Sequence, residues 1–155
     1  MKAHHFDLVS HWRIAASADR VWAALSDPEG WPGWWPCVRS VRTLSGGDAH
    51  GLGRVRRIRW ATRLPYDIVT DIEAIEVRRP ELLRGRSRGA LHGEGIWLLR
   101  SEGPCTDITY VWRVELTRPW MRWLAPLLAP LFRWNHAAVM RAGRAGLARH
   151  LARAS

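Results

Sequence analysis

The chain has 155 residues, enough for one domain with a sizeable core and too few for two ordinary domains. Its two cysteines, Cys37 and Cys105, lie far apart and outside metal-ligand spacing, which argues against a disulfide framework and against a zinc site. The formal net charge of +10 invites a nucleic-acid reading, but Lys2 is the sole lysine among 24 basic residues, and so lopsided an arginine excess reads as the codon bias of a GC-rich genome.

The first element is a strand. Phe6, Leu8, Ser10, Trp12 and Ile14 fall on one side of a period-two pattern, with His5, Asp7, His11 and Arg13 on the other. Ser17 then offers a helix N-cap with Asp19 in the favourable first turn, and Val21, Trp22 and Leu25 make the apolar stripe of a short helix. Asp27-Pro28 ends it. The stretch from Gly30 to Pro36 is too rich in Pro and Gly for a long element, and reads as a tight turn or single helical turn carrying Trp31, Trp34 and Trp35.

From Val38 to Leu116 the text is strand and turn. The predicted strands are 38–44, 53–63, 66–78, 82–91, 95–100 and 106–116, separated by breaks such as Ser45-Gly46-Gly47-Asp48, Leu64-Pro65 and His92-Gly93. Short punctuated strands in this order indicate an antiparallel meander. In 82–91, Arg84, Arg86 and Arg88 share one face, opposite Leu83, Gly85, Ser87, Gly89 and Leu91. Small residues on an inward face leave space there.

After Pro119 the period becomes helical. Thr117 is a cap and Pro119 suits the first helical position, while Pro126 and Pro130 are expected to interrupt or restart the helix. The segment 131–153 then runs unbroken, with Phe132, His136, Val139, Met140, Gly143, Leu147 and Leu151 on one face and Arg133, Arg141, Arg144 and Arg149 toward the other. The whole reads as an α+β single domain over 1–155: a seven-stranded curved antiparallel sheet around one long C-terminal helix, with two short helices after the first strand.

Several phrases carry a resemblance. Val21-Trp22-Ala23-Ala24-Leu25 followed by Trp31-Pro32-Gly33-Trp34-Trp35-Pro36 resembles the opening of the START-like (SRPBCC) superfamily, in particular its polyketide cyclase/dehydrase and lipid-transport branch. Leu64-Pro65-Tyr66, Gly93-Glu94-Gly95-Ile96-Trp97 and Phe132-Arg133-Trp134-Asn135-His136 are similar to phrases in that branch. The resemblance implies the helix-grip fold and a small hydrophobic or aromatic ligand, polyketide- or lipid-like, in an internal cavity. It does not choose among carriers, cyclases, dehydrases and ligand sensors, because a shared fold hosts all of them. It also sets Trp31, Trp34 and Trp35 beside the open edge of the cavity, as ligand-facing indoles or as a hydrophobic plug.

Eleven tryptophans in one small chain exceed what a compact core readily takes, since each buried indole N–H needs a partner. The candidate ligand-binding residues are Trp34, Trp60, Tyr66, Trp97, Trp112, Asn135, His136, Val139 and Met140. Among the strand candidates Tyr66 alone carries a phenol, so Tyr66 and His136 are the candidates for moving a proton. His136 reads equally as a structural histidine bonded to a strand carbonyl or a Trp N–H. Gly143 and Gly146 in the same helix either admit close packing or leave cavity volume.

His4, His5 and His11 form no convincing metal site, and the chain contains no Gly-rich phosphate loop, triad order or dinucleotide fingerprint, so no cofactor is called for. The first ten residues lack a signal peptide's apolar core and the apolar run 124–132 is short of a membrane span, so the expected location is cytoplasmic. No acidic residue follows Glu115, whereas Arg118, Arg122, Arg133, Arg141, Arg144, Arg149 and Arg153 do. With the Trp- and Leu-rich text of 120–134, that asymmetry makes weak association with an anionic membrane surface the second expected partnership, and a lipid carrier the alternative function. Specific nucleic-acid binding is not expected. Fluorescence anisotropy with random and structured oligonucleotides should detect only weak association that disappears with added salt; salt-resistant, sequence-dependent binding would refute this.

Overall fold

In the computed structural model, which describes residues 5–62, 65, 67–89, 91–116 and 119–153, the chain follows the order β1 (His5–Ile14), α1 (Ala18–Leu25), a 3-10 turn (Pro28–Gly33), β2 (Val38–Ser45), β3 (Val55–Trp60), β4 (Ile68–Arg78), β5 (Leu82–Gly89), β6 (Leu91–Glu102), β7 (Cys105–Leu116) and α2 (Pro119–Arg153). The strands form one curved seven-stranded sheet in the order β1-β7-β6-β5-β4-β3-β2, antiparallel at every step. β1 is thus the one strand that leaves chain order, pairing with β7 in register from His5 opposite Glu115 to Ile14 opposite Thr106.

The local chemistry follows the sequence closely at the start. Phe6, Trp12 and Ile14 are buried while Asp7, His11 and Arg13 are exposed, so β1 shows one face to the core. The Ser17 hydroxyl accepts from the Arg20 amide at 3.3 Å and caps α1, whose Val21, Trp22 and Leu25 are buried. Two apolar clusters hold α2 over the sheet. Toward its C-terminus Met140, Leu147 and Leu151 pack with Trp12, Val21, Trp22, Trp35 and Trp97; toward its N-terminus Met121 and Ala125 pack with Phe6, Leu91, Val114 and Leu116.

Two expectations need correction. The helix runs unbroken through Pro126 and Pro130. Both prolines stand on its exposed side, where water can solvate backbone that a proline cannot bond. His92-Gly93 is not a break but lies inside β6, opposite Glu115 and Val114. A Cβ on Gly93 would stand 1.8 Å from the Arg113 carbonyl oxygen, so this glycine serves a close strand approach. The proposed cap Thr117 lies outside the described residues.

Gly143 and Gly146 admit close packing instead of leaving a void. A Cβ on Gly143 would meet the Trp35 indole at 2.6 Å, and one on Gly146 would stand 1.8 Å from the Trp34 carbonyl oxygen. The Trp31-to-Pro36 segment therefore lies directly on the backbone of α2. Gly146→Ala should cost about 2 kcal/mol or more, read as a lowered urea midpoint at unchanged slope. Gly33→Ala, whose Cβ meets nothing within 4 Å, should stay within about 0.5 kcal/mol of wild type. Equal stability of the two variants would refute this account of the helix contact.

Candidate functional site

Between the two clusters the sheet and α2 leave a space that their side chains do not fill. They enclose a cavity of about 580 Å³, within the range of small-molecule sites. Its walls come from β1, β3 to β7, the 3-10 turn and α2, and are mostly apolar: Leu8, Ile58, Ile68, Ile72 and Leu83 from strands, Trp31 and Trp35 from the turn, Met121 and Phe132 from the helix. Gly85 and Ser87 face the space, as the small-residue side of β5 implies, and Gly95 of β6 joins them. Gly85 and Gly95 sit opposite one another in register. A Cβ on Gly95 would fall 2.5 Å from the Tyr110 hydroxyl, so the missing side chain is what lets the phenol lie across β6.

Most of the anticipated ligand-facing residues meet here. Trp60, Trp97, Trp112, Asn135, His136, Val139 and Met140 all line the cavity. Trp34 does not. It is buried, stacked on Trp35 at 5.5 Å between ring centroids and 15° between planes, with His150 beyond it at 6.3 Å. Its neighbours Trp31 and Trp35 take the wall position instead. Tyr66 lies outside the described residues. The phenol that does face the space is Tyr110, on the same side of β7 as Ile108, Trp112 and Val114, so the alternation of that strand was the signal for it.

Three of the wall's indoles are fixed by their N–H groups. Trp35 Nε1 donates to the Val139 carbonyl at 2.9 Å, Trp31 Nε1 to the Ala24 carbonyl at 3.1 Å, and Trp60 Nε1 to the Thr70 hydroxyl at 3.1 Å. Trp35 also meets Trp12, Trp31, Trp60 and Trp97 at centroid distances between 5.3 and 6.3 Å. Such edge and tilted contacts keep large side chains in single orientations. The wall is preformed.

One stretch of the wall is polar. His136 stacks on Trp112 at 4.9 Å and 11°, and its ring is also nearly parallel to that of Tyr110, at 6.4 Å and 18°. Its Nε2 and the Oδ1 of Asn135 are buried without a hydrogen-bond partner among the described residues. Burial pulls the His136 pKa from 6.5 down to about 4, and pushes the Tyr110 hydroxyl well above the ordinary phenol value. At neutral pH the pair is an uncharged imidazole beside an uncharged phenol. At the far end Arg56, also on the wall, is held by Glu29 at 2.8 Å, and this guanidinium and the Thr43 hydroxyl keep the Glu29 carboxyl at about 2 although its own burial raises it. No group of His, Cys, Asp and Glu suited to a metal occurs among the described residues.

A curved antiparallel sheet closed over a ligand-sized space by one long helix defines a START-like, helix-grip protein. The chain belongs to the family described as polyketide cyclase / dehydrase and lipid transport, whose sequence model matches residues 5–152. Among solved structures it is similar to a START superfamily protein from Mycobacterium smegmatis, with 15% identity, a TM-score of 0.78 and coverage of 96% of this chain and 99% of that one. It is similar to the Zhui aromatase/cyclase from Streptomyces sp. R1128, with 18% identity, a TM-score of 0.71 and 96% of both chains covered. It also matches the di-domain aromatase/cyclase BexL of the BE-7585A biosynthetic pathway, with 18% identity and a TM-score of 0.78, over 96% of this chain but only 50% of that one. No curated protein matches the sequence.

The buried histidine has a measurable consequence. Below about pH 6.5 the unfolded chain takes up a proton that folded His136 refuses until about pH 4, so stability must fall as pH falls through that window. The loss amounts to roughly 3 kcal/mol. His136→Gln should flatten the slope between pH 6.5 and 5.5, above the range where depressed carboxylates such as Glu29 contribute. Parallel urea-denaturation profiles for wild type and variant across that interval would show that the imidazole is not held neutral.

Proposed function

We propose that this protein binds a small hydrophobic or aromatic ligand, polyketide- or lipid-like, inside the cavity between its sheet and α2. The observation that carries the reading is the cavity itself, about 580 Å³ with Trp31, Trp35 and Trp60 held at their N–H groups. A wall that does not have to reorganise gives affinity through the area it removes from water, without an ordering cost. The flat faces of Trp60, Trp97 and Trp112 suit planar or polycyclic ligands, and Asn135, His136 and Tyr110 supply the few polar groups that orient one.

Cyclase or dehydrase chemistry is the catalytic form of this reading, and the family's description supports it. A poly-carbonyl chain folded in the cavity would close chiefly because its reacting carbons are held together. His136 is the residue for proton movement, with Tyr110 beside it. A base with a pKa near 4 is weak at neutral pH, so binding is the primary proposal and turnover the secondary one. The remaining alternative is a non-catalytic carrier working at a membrane surface, which the exposed apolar side of α2 favours.

Filling the cavity tests the seat of binding. Val139→Trp, projecting from α2 into the space, should weaken the uncharged probe N-phenyl-1-naphthylamine at least tenfold while leaving the thermal transition cooperative. His136→Ala should weaken hydroxylated aromatics more than their unsubstituted parents, because only the former lose a hydrogen bond. Unchanged probe affinity in a folded Val139→Trp protein would remove the cavity from the account. Native mass spectrometry of protein from its own host identifies the natural ligand directly.

A further inference from the structure

The first half of α2 carries a second surface that meets the cavity at Trp120. Trp120, Trp123, Leu127, Leu131 and Trp134 are exposed by 54%, 84%, 79%, 39% and 47%. Their spacing of three, four, four and three residues sets all five on one strip of the helix, within roughly 80° of arc and about 21 Å long. Three indoles and two leucines at those exposures present on the order of 500 Å² of largely apolar surface, at the upper end of what a soluble monomer shows. Single exposed apolar residues need no explanation; a continuous strip does.

Charge selects the occupant. Continued toward the C-terminus, the same strip becomes Arg141 and Arg149, with Arg144 beside it, all exposed. Not one acidic residue occurs in Pro119–Arg153. A helix that is tryptophan- and leucine-faced in one half and arginine-faced in the other matches a bilayer surface in both of its layers, indoles at the headgroup boundary and guanidinium groups on anionic phosphates. The helix does not cross: among the described residues no helix is long and apolar enough to span a membrane. Position adds function to the match. Trp120, half-exposed at the start of the strip, also lines the cavity, and Met121 and Phe132 continue the wall inward.

We infer that the 120–134 strip of α2 docks the protein on an anionic lipid surface and sets the cavity's rim against the bilayer, so that the ligand is exchanged with the membrane. This rests on the cavity being the binding site and names the partner from which that site is loaded. Trp120 is the member that the strip and the cavity share. Neither Trp123 nor Leu127 lines the cavity.

The test is flotation of the full chain with vesicles of phosphatidylcholine alone and of phosphatidylcholine mixed with phosphatidylglycerol. Co-flotation is expected with the anionic vesicles and only weakly with the neutral ones, and added salt should reduce it. Trp123→Glu and Leu127→Glu should each lower the bound fraction at least tenfold while N-phenyl-1-naphthylamine affinity stays at the wild-type value. Arg141→Glu with Arg149→Glu should abolish the preference for anionic vesicles. The inference is overturned if wild type fails to float, if Trp123→Glu floats like wild type, or if sedimentation equilibrium shows a dimer that Trp123→Glu dissociates, since the strip would then cover a second copy. Loss of probe binding in wild type with flotation intact would instead strike the cavity reading and leave the docking surface standing.

Discussion

The hydrogen bond from Trp35 Nε1 to the Val139 carbonyl, with two glycines of α2 opening the space for it, fixes where the long helix lies. A side chain at Gly143 would strike the Trp35 ring and one at Gly146 would strike the Trp34 backbone. The tryptophan segment is therefore pressed onto the helix at its C-terminal half, while Met121 and Ala125 pin the N-terminal half on Phe6, Leu91 and Leu116. A rigid rod fastened near both ends to a curved sheet spans the concavity between them. The cavity is the unfilled span. Asn135, His136 and Val139 occupy that stretch of the helix, which explains how polar groups come to stand on an otherwise apolar face.

How much of this the sequence discloses depends on the range of the interaction. Period-two alternation in β1 and β7 and the Ser17 cap are local, and they were legible because one face of each element is dry. The prolines of α2 misled because their cost depends on which side of the helix they occupy. The two helical glycines were ambiguous because the ring and backbone that require them lie more than a hundred residues earlier. Trp31, Trp34 and Trp35 could not be sorted into wall and core by spacing, since a short 3-10 turn has no long period to read. Tyr110 differs: it alternates in phase with Ile108, Trp112 and Val114, so its phenol belonged among the candidates beside Trp112.

Charge is arranged to keep the interior neutral. The arginines of the sheet mostly meet carboxylates across strands, as Arg57 meets Asp71 at 2.8 Å, and such exposed pairs add little stability. Their effect is to spend the acidic residues of the chain on the sheet. The helix, with none of its own, keeps the positive excess. Inside, Arg56 is balanced by Glu29 and the imidazole of His136 remains uncharged. A wall with balanced charge selects by shape and by single hydrogen bonds, and a surface with unbalanced charge selects by field. The molecule assigns those two tasks to different sides of one helix.

The size of the void bears on how the protein exists before it meets its ligand. Engineered cavities in apolar cores cost about 24 cal/mol per Å³. On that scale an empty space of about 580 Å³ would cost on the order of 10 kcal/mol, comparable to the entire stability of a typical domain. The sheet and helix were never packed together and then hollowed, so part of that cost does not arise; the two end clusters support the span. What remains favours an occupant. Water gains little against indole faces and isoleucine side chains, which make up most of a wall whose polar groups are the Asn135, His136 and Tyr110 stretch, a few hydroxyls and charged side chains such as Arg56 and Arg84. An apolar ligand covers the same wall without breaking water–water hydrogen bonds, and its binding free energy adds to that of folding. The feature that makes this fold expensive when empty is the same one that makes it selective when filled.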